Sequence, residues 1–492
     1  MKKIKCLIIT AFAAAACWLT AVNAYAGTIR VGLEKNFKNV ESVTINDSVM
    51  GVGIGSGKKY NISGTYTVKP VGGQYYNIGE YFDTYEEVYA KLPAYTGYNC
   101  VAALTDKGWT IYVRTDGKKL NKTIISTGSY CVGFAYEGKY KFIVDGSSPA
   151  RVNASDGIIG VGENFYRDDI EIYRQGSTLT AVNVIDEEKY LYGVINSEMP
   201  SSWSSEAQKA QAVAARTYME RSKGKHDIYD LCDGVHCQDY NGTKNETEAG
   251  IQAVNETEGL CIYYNDALIE AVYFASDGGA TIDGAEAWGT ETPYLKGKVD
   301  TYEKEYKEWT REFTYSELTD IFAAKGYDVG NVVKLEVKYN ANGIATELTI
   351  RGSKGQKVLT KEEIRTAFST SSGGSLNSRN FVLLNGEEAS GSSVYALGSS
   401  GNTNTVGSNA AVQSSGKTGL VAGSIIAESS KGTSTITTAS TAVTGKAGVV
   451  TIAGKGNGHS VGMSQYGAKG MAEDGYKFDD ILKFYYTDVE IK

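Results

Sequence analysis

The sequence has no excess of basic residues. It contains 49 lysines and arginines against 57 aspartates and glutamates, which gives a net charge of −8 over 492 residues. Because nucleic-acid binding requires a basic face that neutralises phosphates, this balance argues against a nucleic acid as the partner. Histidine is also scarce, so a site that uses imidazole must draw on the three histidines of the chain, His226, His236 and His459.

Long apolar runs are scarce as well, and the one at the N-terminus is short for a membrane span. Three lysines among the first five residues precede a largely apolar run from Cys6 to Val22, and an Ala-Tyr-Ala tripeptide follows at 24–26. This order is typical of a signal peptide. We therefore predict a signal peptide over residues 1–26 and an extracytoplasmic protein, secreted or associated with the cell wall. An uncleaved membrane anchor remains the alternative, because such a run is at the lower limit of what crosses a bilayer.

The chain is too long for one ordinary core, and its patterns divide it into segments. Residues 27–72 carry short, glycine-punctuated β patterns, and residues 73–120 follow the order strand, helix, strand. The latter stretch, from YYNIGEYF to WTIYV, resembles a SPOR domain, a small α/β module that binds glycan strands; an unrelated α/β insert is the alternative. A main domain is expected over 141–492. It is interrupted at 385–446 by Ser, Gly and Thr, a composition that predicts a disordered insertion.

These patterns together predict an α+β fold. We expect a mixed β-sheet core with an alanine-rich helix and a small N-terminal α/β module.

The stretch from Tyr190 to Glu220 carries the first candidate for chemistry. Asp186 is a suitable N-cap for a helix that Pro200 ends, which places Glu198 in or just after its last turn. A second, alanine-rich helix is predicted from Ser205, with a capping box to Gln208, to about residue 222. The negative end of the first helix and nearby apolar side chains both raise a carboxyl pKa, as a general acid requires. An ordinary solvated glutamate is the alternative.

Two motifs carry a resemblance to a known family. YLYGVINSEMP followed by AQAVAARTY is similar to the core motif of the SpoIID/LytB family, the stage II sporulation protein D and amidase-enhancer proteins. GKGNGHSVGMSQYGA resembles the closing motif of that family, GxGxGHxxGMSQxGA, although Asn457 and Ser460 stand where members usually carry Trp and Gly. The resemblance implies that Glu198 is the catalytic acid and base. It implies as glycan-contacting candidates Arg216, Ser276, Gly278, Gly279, His459, Ser464, Gln465 and Tyr466.

The segment KHDIYDLCDGVHCQDYNG brings cysteine and histidine together. Thiolate and imidazole at short spacing are the usual ligands of tetrahedral zinc. This segment resembles the zinc site of members of that family. The resemblance implies a structural zinc ion bound by His226, Cys232, His236 and Cys237. Three ligands with a water, a Cys232 to Cys237 disulfide and an inert loop are the alternatives. Elsewhere, Cys100 and Cys131 could form a disulfide or remain buried thiols.

The resemblance implies a lytic transglycosylase that acts on peptidoglycan. Ordinary glycosidases use two carboxyl groups, and the sequence marks only Glu198 clearly. A transglycosylase can work with one, because the C6 hydroxyl of N-acetylmuramic acid is the nucleophile. The expected partners are peptidoglycan glycan strands and, in a second hypothesis, an N-acetylmuramoyl-L-alanine amidase that the chain would stimulate without catalysis. A plain carbohydrate-binding surface protein is the third hypothesis.

Overall fold

The structure of the protein, a computed structural model, describes most of the chain beyond residue 26. The described residues are 27–385, except 48, 235 and 371–372, then four short strands between 394 and 438, and finally 448–492. The predicted signal peptide lies outside the described residues, as does most of the predicted insertion at 385–446. Among the described helices, none combines the length and hydropathy that a membrane crossing requires.

Within the described residues, one large mixed sheet of fifteen strands dominates the N-terminal half. Its strands are β1 Thr28–Gly32, β2 Val43–Asn46, β3 Met50–Ile54, β4 Tyr60–Ile62, β5 Tyr66–Pro70, β6 Gln74–Asn77, β7 Cys100–Thr105, β8 Gly108–Arg114, β9 Thr123–Ser126, β10 Val132–Tyr136, β11 Lys139–Asp145, β12 Ala150–Val161, β13 Asn164–Gln175, β14 Thr178–Asp186 and β15 Leu231–Cys232. The order along the main path is β15-β1-β14-β13-β12-β2-β5-β10-β11-β7-β8-β6-β9, with β3 and β4 attached through β12.

This sheet joins segments that the sequence patterns had separated. Strand β1 pairs antiparallel with β14, with Thr28 opposite Asp186, and parallel with β15, with Gly32 opposite Cys232. Strand β7 of the 73–120 segment pairs parallel with β11. The predicted boundary at residue 141 therefore falls inside a continuous sheet, because its strands pair across large separations in the chain that no local pattern reveals. The resemblance of residues 73–120 to a SPOR domain stays a prediction.

The helices of the described residues are distributed along the chain, and most of them follow the long strands of this sheet. They are α1 Glu34–Phe37, α2 Tyr85–Lys91, α3 Glu187–Glu198, α4 Ser205–Ser222, α5 Glu248–Asn255, α6 Gly284–Trp288, α7 Tyr315–Ala324, α8 Glu363–Thr366, α9 Gln465–Glu473 and α10 Phe478–Tyr485, with a 3-10 turn at Leu92–Tyr95. Helix α4 buries Ala207, Ala210 and Ala214 completely. So small a face lets the neighbouring helices approach its backbone closely.

The ends of α3 and the bounds of α4 agree with the prediction, whereas the predicted cap of α4 does not. The Asp186 carboxylate accepts from the amides of Glu188 and Lys189 at 3.0 and 3.1 Å. The predicted capping box at Ser205 is wrong, because the helix begins after Ser204 without a side-chain cap. The Gln208 amide group instead donates to the carbonyls of Ser201 and Trp203, at 3.0 and 2.9 Å. It thereby holds the loop between α3 and α4.

The C-terminal half carries several small sheets in addition to the helices. Their strands are β16 Ile262–Tyr264, β17 Ala267–Leu268, β18 Tyr273–Phe274, β19 Glu308–Thr314, β20 Val332–Tyr339, β21 Ala345–Gly352, β22 Gly355–Thr360, β23 Phe381–Asn385, β24 Val394–Leu397, β25 Thr403–Val406, β26 Gly423–Ser429, β27 Gly432–Thr438, β28 Val449–Lys455, β29 Met463–Ser464 and β30 Glu490–Ile491. The α+β class with a mixed sheet is confirmed.

The strands on the two sides of the predicted insertion are direct neighbours. Strand β23 pairs antiparallel with β28, and Asn385 lies opposite Val450. Within the insertion, β24 pairs with β25 and β26 with β27. The segment between Asn385 and Val450 is therefore the connection of an antiparallel pair, so its two ends are already held together by the sheet.

Replacing residues 386–447 with a short glycine-serine linker should preserve the fold. Loop closure costs less for a short connection than for a long one, so the thermal midpoint should stay the same or rise slightly. Circular dichroism melts of the deletion variant beside the full chain would measure it. Loss of the cooperative transition would show instead that the insertion is part of the core.

Candidate active site and metal cluster

Glu198 lies at the point where α3 ends. The Met199 amide still donates to the Ile195 carbonyl, but Met199 itself is extended, with φ −134° and ψ 133°. The chain therefore leaves the helix sharply, and the half-buried carboxyl group of Glu198 faces residues from other elements. The Asp239 amide donates to its Oε1 at 2.9 Å. The side chains of Tyr273 and Gln465 lie within hydrogen-bonding contact of the same carboxyl.

These surroundings favour the protonated form of Glu198. Burial raises the pKa of Glu198 above the usual value of a glutamate, and the negative charge of Asp239 adds to this effect. The Asp239 amide and the Tyr273 and Gln465 side chains act in the opposite direction, because they favour the ionised form. The net shift is upward. A larger fraction of Glu198 is therefore protonated near neutral pH than for an ordinary glutamate. The same three hydrogen-bond donors would stabilise the carboxylate once the proton has left.

The closing motif reaches Glu198 through a short parallel pair of strands. Strand β29 pairs with β18, which places Met463 opposite Tyr273 and Ser464 opposite Phe274. Ser464 then caps α9 by accepting from the Gly467 amide at 3.1 Å. Helix α9 begins at Gln465, next to the end of α3. Residues that lie more than 260 positions apart in the chain thus meet at one carboxyl group.

An aromatic rim adjoins this point. The ring of Tyr466 meets the ring of Trp203 edge to face, with centroids 4.9 Å apart. Lys307 lies 5.8 Å from the centre of the Tyr466 ring, and Lys469 lies 5.8 Å from that of Trp203. Both rings are half-buried, so part of each faces solvent. Such a rim offers apolar faces together with positive charge.

Sequence reasoning missed three residues of the site, Tyr273, Gln238 and Asp239. Gln238 donates to the Tyr273 hydroxyl at 3.0 Å and accepts from the Tyr190 hydroxyl at 3.1 Å, which fixes the phenol beside Glu198. Gln238 and Asp239 directly follow Cys237, so the cysteine and histidine motif contained the only local signal for them. No local signal marks Tyr273.

Several residues expected to contact a glycan lie in the interior instead. Ser276 and Ser464 are fully buried, and both hydroxyls donate to Glu303. Gly278 and Gly279 form a left-handed turn, with φ +71° and +109°. A side chain on Gly278 would come within 2.9 Å of the Lys455 backbone, so this turn packs against the closing segment.

His459 is also held by packing. Its Nδ1 accepts from the Val461 amide at 3.1 Å, and its ring lies between those of Phe274 and Trp288, 5.2 and 5.4 Å away. Burial lowers the pKa of His459 to about 4, and the charge of Arg365 adds to this. The imidazole is therefore neutral at physiological pH and orders the closing segment rather than carrying charge.

Arg216 is the clearest correction to the expected set of glycan contacts. It is 2% exposed and forms a two-pronged ion pair with Glu188, at 2.7 and 2.6 Å. It also donates to the Leu260 carbonyl at 3.1 Å. Because its donors are used inside the protein, Arg216 ties α4 to α3 and to the chain after α5. The sequence could not show that Glu188 would lie opposite it.

Replacing Arg216 with methionine should destabilise the protein by about 3 kcal/mol, because it leaves Glu188 without its partner in a partly buried position. Urea unfolding would measure the loss. Arg221→Met on the same helix is the matched control, since Arg221 is exposed, and should cost less than about 0.5 kcal/mol. Equal stability of the two variants would contradict the structural role of Arg216.

The four predicted metal ligands converge in the structure. One ligand atom from each of His226, Cys232, His236 and Cys237 lies within 4.8 Å of all the others. His226 Nε2 and His236 Nδ1 are each 3.5 Å from the sulfur of Cys237, and His236 Nδ1 is 3.9 Å from that of Cys232. A tight turn, closed by the Cys237 amide on the Gly234 carbonyl at 2.9 Å, brings the adjacent His236 and Cys237 together.

These separations fit the edges of a tetrahedron around zinc, whose bonds to nitrogen and sulfur are about 2.0–2.3 Å. Cys232 and Cys237 are free thiols, so the alternative disulfide is not formed. The Cys237 thiol donates to the Cys232 sulfur and lowers the pKa of Cys232 to about 5. Cys100 and Cys131 are free as well, on β7 and just before β10.

The cysteine and histidine cluster is connected to Glu198 through two consecutive residues. Directly after Cys237, Gln238 orients Tyr273 and Asp239 donates its amide to Glu198. The conformation of the cysteine and histidine loop therefore sets the position of two groups around the carboxyl. A change in the conformation of this loop would therefore displace two of the groups that contact Glu198.

Comparison with known proteins finds a family model that matches this part of the chain. Residues 175–264, which contain α3, α4 and the cysteine and histidine cluster, match the family model SpoIID, described as stage II sporulation protein. This stretch of the chain is similar to that family. The match begins at the end of β13 and ends with β16, so it covers Glu198 and all four cysteine and histidine ligands but not the closing motif.

Similar proteins extend this similarity over more of the chain. The amidase enhancer of Bacillus subtilis is 34% identical over 320 residues, which cover 60% of this chain and 39% of that protein. The stage II sporulation protein D of Bacillus subtilis is 27% identical over 341 residues, 65% of this chain and 78% of that protein. An uncharacterized protein of Brachyspira hyodysenteriae is 26% identical over 398 residues, 80% and 84% of the two chains. The match thus spans about two fifths of the amidase enhancer.

Proposed function

We propose that the protein is a lytic transglycosylase that cleaves peptidoglycan glycan strands between N-acetylmuramic acid and N-acetylglucosamine. The observation that carries the proposal is a single half-buried glutamate with a raised pKa at the meeting point of α3, β18 and α9. The match to the family model and the similarity to a sporulation protein and an amidase enhancer support an action at the cell wall. The expected location is extracytoplasmic.

The neighbouring carboxylate favours this reaction over ordinary hydrolysis. A two-carboxyl glycosidase needs a second free carboxyl about 5–9.5 Å from the first. Asp239 is the carboxylate next to Glu198, but its Oδ1 pairs with Lys35 and its Oδ2 accepts from Asn241 at 3.0 Å. Both oxygens of Asp239 are therefore engaged, which makes Asp239 a poor candidate for the second carboxyl group.

In the proposed reaction Glu198 transfers its proton to the glycosidic oxygen, and the bond from that oxygen to C1 of the muramic acid breaks. The Asp239 amide and the Tyr273 hydroxyl stabilise the carboxylate that remains. The C6 hydroxyl of the same sugar then attacks C1 and forms the 1,6-anhydro ring, and its proton returns to Glu198. The nucleophile belongs to the substrate, so no water molecule is required.

Gln465 and Tyr466 are the proposed sugar-positioning residues among those expected from the sequence. Gln465 contacts Glu198. The amide group of Gln465 also donates to the side-chain oxygen of Gln211 on α4, at 3.4 Å, and this bond fixes the orientation of the Gln465 side chain. The rings of Tyr466 and Trp203 provide faces on which a sugar can stack. Lys307 and Lys469 place positive charge beside these rings, as an anionic glycan would require.

The cysteine and histidine cluster would hold a structural zinc ion. Four protein ligands leave no open position, so zinc would supply no chemistry to the substrate. Its effect would be to order the loop whose next two residues, Gln238 and Asp239, shape the surroundings of Glu198.

An amidase activator is the second candidate function, and the 34% identity to the amidase enhancer of Bacillus subtilis is the observation that favours it. In that case the same cleft would bind glycan strands without cleaving them. A binding-only chain would raise the turnover of an N-acetylmuramoyl-L-alanine amidase and leave the glycan intact. The two functions therefore differ in their products.

Glu198→Gln should lower the rate at which anhydromuramic ends form on peptide-free glycan strands by about 10²–10⁴-fold. The amide keeps the size of the side chain but donates no proton. Mass spectrometry of the products would measure it, with the exposed Glu258→Gln as the matched control. If wild-type protein forms no such ends but stimulates an amidase, the activator function is correct.

Activity should fall as pH rises through the raised pKa of Glu198, because only the protonated group can act as the acid. Asp239→Asn keeps the amide but removes the negative charge that raises this pKa, so the alkaline limb of kcat/KM should move to lower pH, by less than about one unit. Lys35→Met removes the positive charge that pairs with Asp239. The alkaline limb should then move to higher pH. A shift in the same direction for both variants would contradict the assignment.

Removing zinc should lower both stability and activity. Elemental analysis should find about one zinc per chain in the purified protein, and Cys232→Ala should lose the metal together with several degrees of thermal midpoint. Cys100→Ala is the control, because Cys100 lies outside the cluster and should keep the zinc. A stable, active and metal-free wild-type protein would refute the structural role.

A further inference from the structure

A second group of converging side chains lies behind the closing motif. Asp277, Asp300 and Glu303 are at most 1% exposed, and one carboxylate oxygen from each lies within 4.8 Å of the other two. Asp277 follows β18, whereas Asp300 and Glu303 belong to a loop before β19. The Asp300 amide donates to the Gly279 carbonyl at 3.0 Å, which holds the two loops together. Neither the proposed reaction nor the zinc site uses these groups.

Two of the three carboxylates accept several hydrogen bonds each from the protein. Glu303 accepts from the Asp277 amide at 2.9 Å, from the Ser464 hydroxyl at 3.2 Å and from the Ser276 hydroxyl. Asp300 accepts from the amides of Tyr302 and Glu303 at 2.8 and 3.3 Å, and from the Tyr485 hydroxyl at 2.5 Å. These hydrogen bonds fix the positions of both carboxylates next to Asp277.

The third carboxylate has an orphaned oxygen. Oδ1 of Asp277 accepts from the Gly279 amide at 2.7 Å, but Oδ2 is fully buried and has no hydrogen-bond partner. Asp277 is 0% exposed and lies in contact with both Asp300 and Glu303. A buried oxygen without a partner is costly, and its position among two further carboxylates indicates a missing positive group.

The protein supplies too little positive charge to this cluster. Lys455 interacts with Asp277 and Glu303, but burial lowers its own pKa, and its Nζ lies over the Tyr306 ring, 4.7 Å from the ring centre. At best it offsets one of three negative charges. Burial and the charges of Asp300 and Glu303 raise the pKa of Asp277 well above its usual value, so three carboxyl groups this close in the interior require a further cation or a proton on Asp277.

We propose that Asp277, Asp300 and Glu303 bind one Ca²⁺ ion. Carboxylate oxygens are the ligands that hard cations prefer, and Ca²⁺ tolerates irregular geometry. Mg²⁺ gives up its waters reluctantly and suits a buried cluster less well. Protons shared between the carboxyls are the competing explanation.

The ion would fasten the turn after β18 to the closing motif. Ser464 donates to Glu303 and also caps α9, and the first residue of α9 is Gln465 beside Glu198. Binding at the three carboxylates would thus stabilise Ser464 and the start of α9, which carries Gln465. The proposal does not depend on which reaction the cleft performs, since it concerns only ion binding and stability.

The test is a calorimetric titration with CaCl₂ of the full chain from residue 27, depleted of Ca²⁺ but retaining its zinc, with zinc content measured before and after, and thermal melts in parallel. We expect one Ca²⁺ per chain, a Kd at or below about 1 mM, and a thermal midpoint that rises by a few degrees at saturation. Equimolar MgCl₂ should give a smaller rise. Asp283→Asn, which changes a half-exposed carboxylate nearby, should behave like wild type, whereas Asp277→Asn should bind at least tenfold more weakly.

The wild-type titration decides the question even if Asp277→Asn does not fold. Absence of binding heat and of a melting shift in wild type up to about 10 mM CaCl₂, well above the weakest known protein sites, would overturn the proposal in favour of shared protons. An equal rise in wild type and in a folded Asp277→Asn variant would overturn it too, because the ion would then bind elsewhere.

Discussion

The hydrogen bond from the Asp239 amide to Glu198 is the contact on which the site depends. It joins the end of α3 to the loop that follows the cysteine and histidine cluster, at 2.9 Å. The same loop presents Gln238, which fixes Tyr273 against the same carboxyl. A backbone donor cannot be removed by a side-chain change, and it holds Glu198 in place in both protonation states. Burial raises the pKa of Glu198, and this bond limits the rise because it favours the ionised carboxylate.

The fold around this contact is an assembly of distant pieces. The large N-terminal sheet supports the metal loop through the pairing of β15 with β1, while α3 is anchored to the same sheet by Asp186 at the end of β14. Helix α4, with its small alanine face, packs between α3 and α9. The insertion connects β23 to β28, and the closing motif follows β28 in the chain. The insertion thus connects two strands of the framework and leaves the elements around Glu198 unbroken.

Sequence reasoning succeeded where a feature is local. Asp186, Pro200 and the position of Glu198 follow from caps and proline sterics, which act within a few residues. The four metal ligands lie within twelve residues of one another, and their convergence needs only a tight turn. It failed where a side chain had two local options: Gln208 satisfies loop carbonyls instead of a cap. Arg216 and Tyr273 could not be judged at all, because their partners are set by helix packing and by the pairing of β18 with β29.

In the proposed reaction, one carboxyl group breaks the glycan with the substrate's own hydroxyl as the nucleophile. The most direct measurement is to digest peptide-free glycan strands with the wild-type protein in water enriched in oxygen-18, and to weigh the new ends by mass spectrometry. We predict anhydro ends that carry no oxygen-18. Reducing ends labelled with oxygen-18 would show hydrolysis by water, and an uncut glycan would show that the cleft only binds; either result would contradict the account.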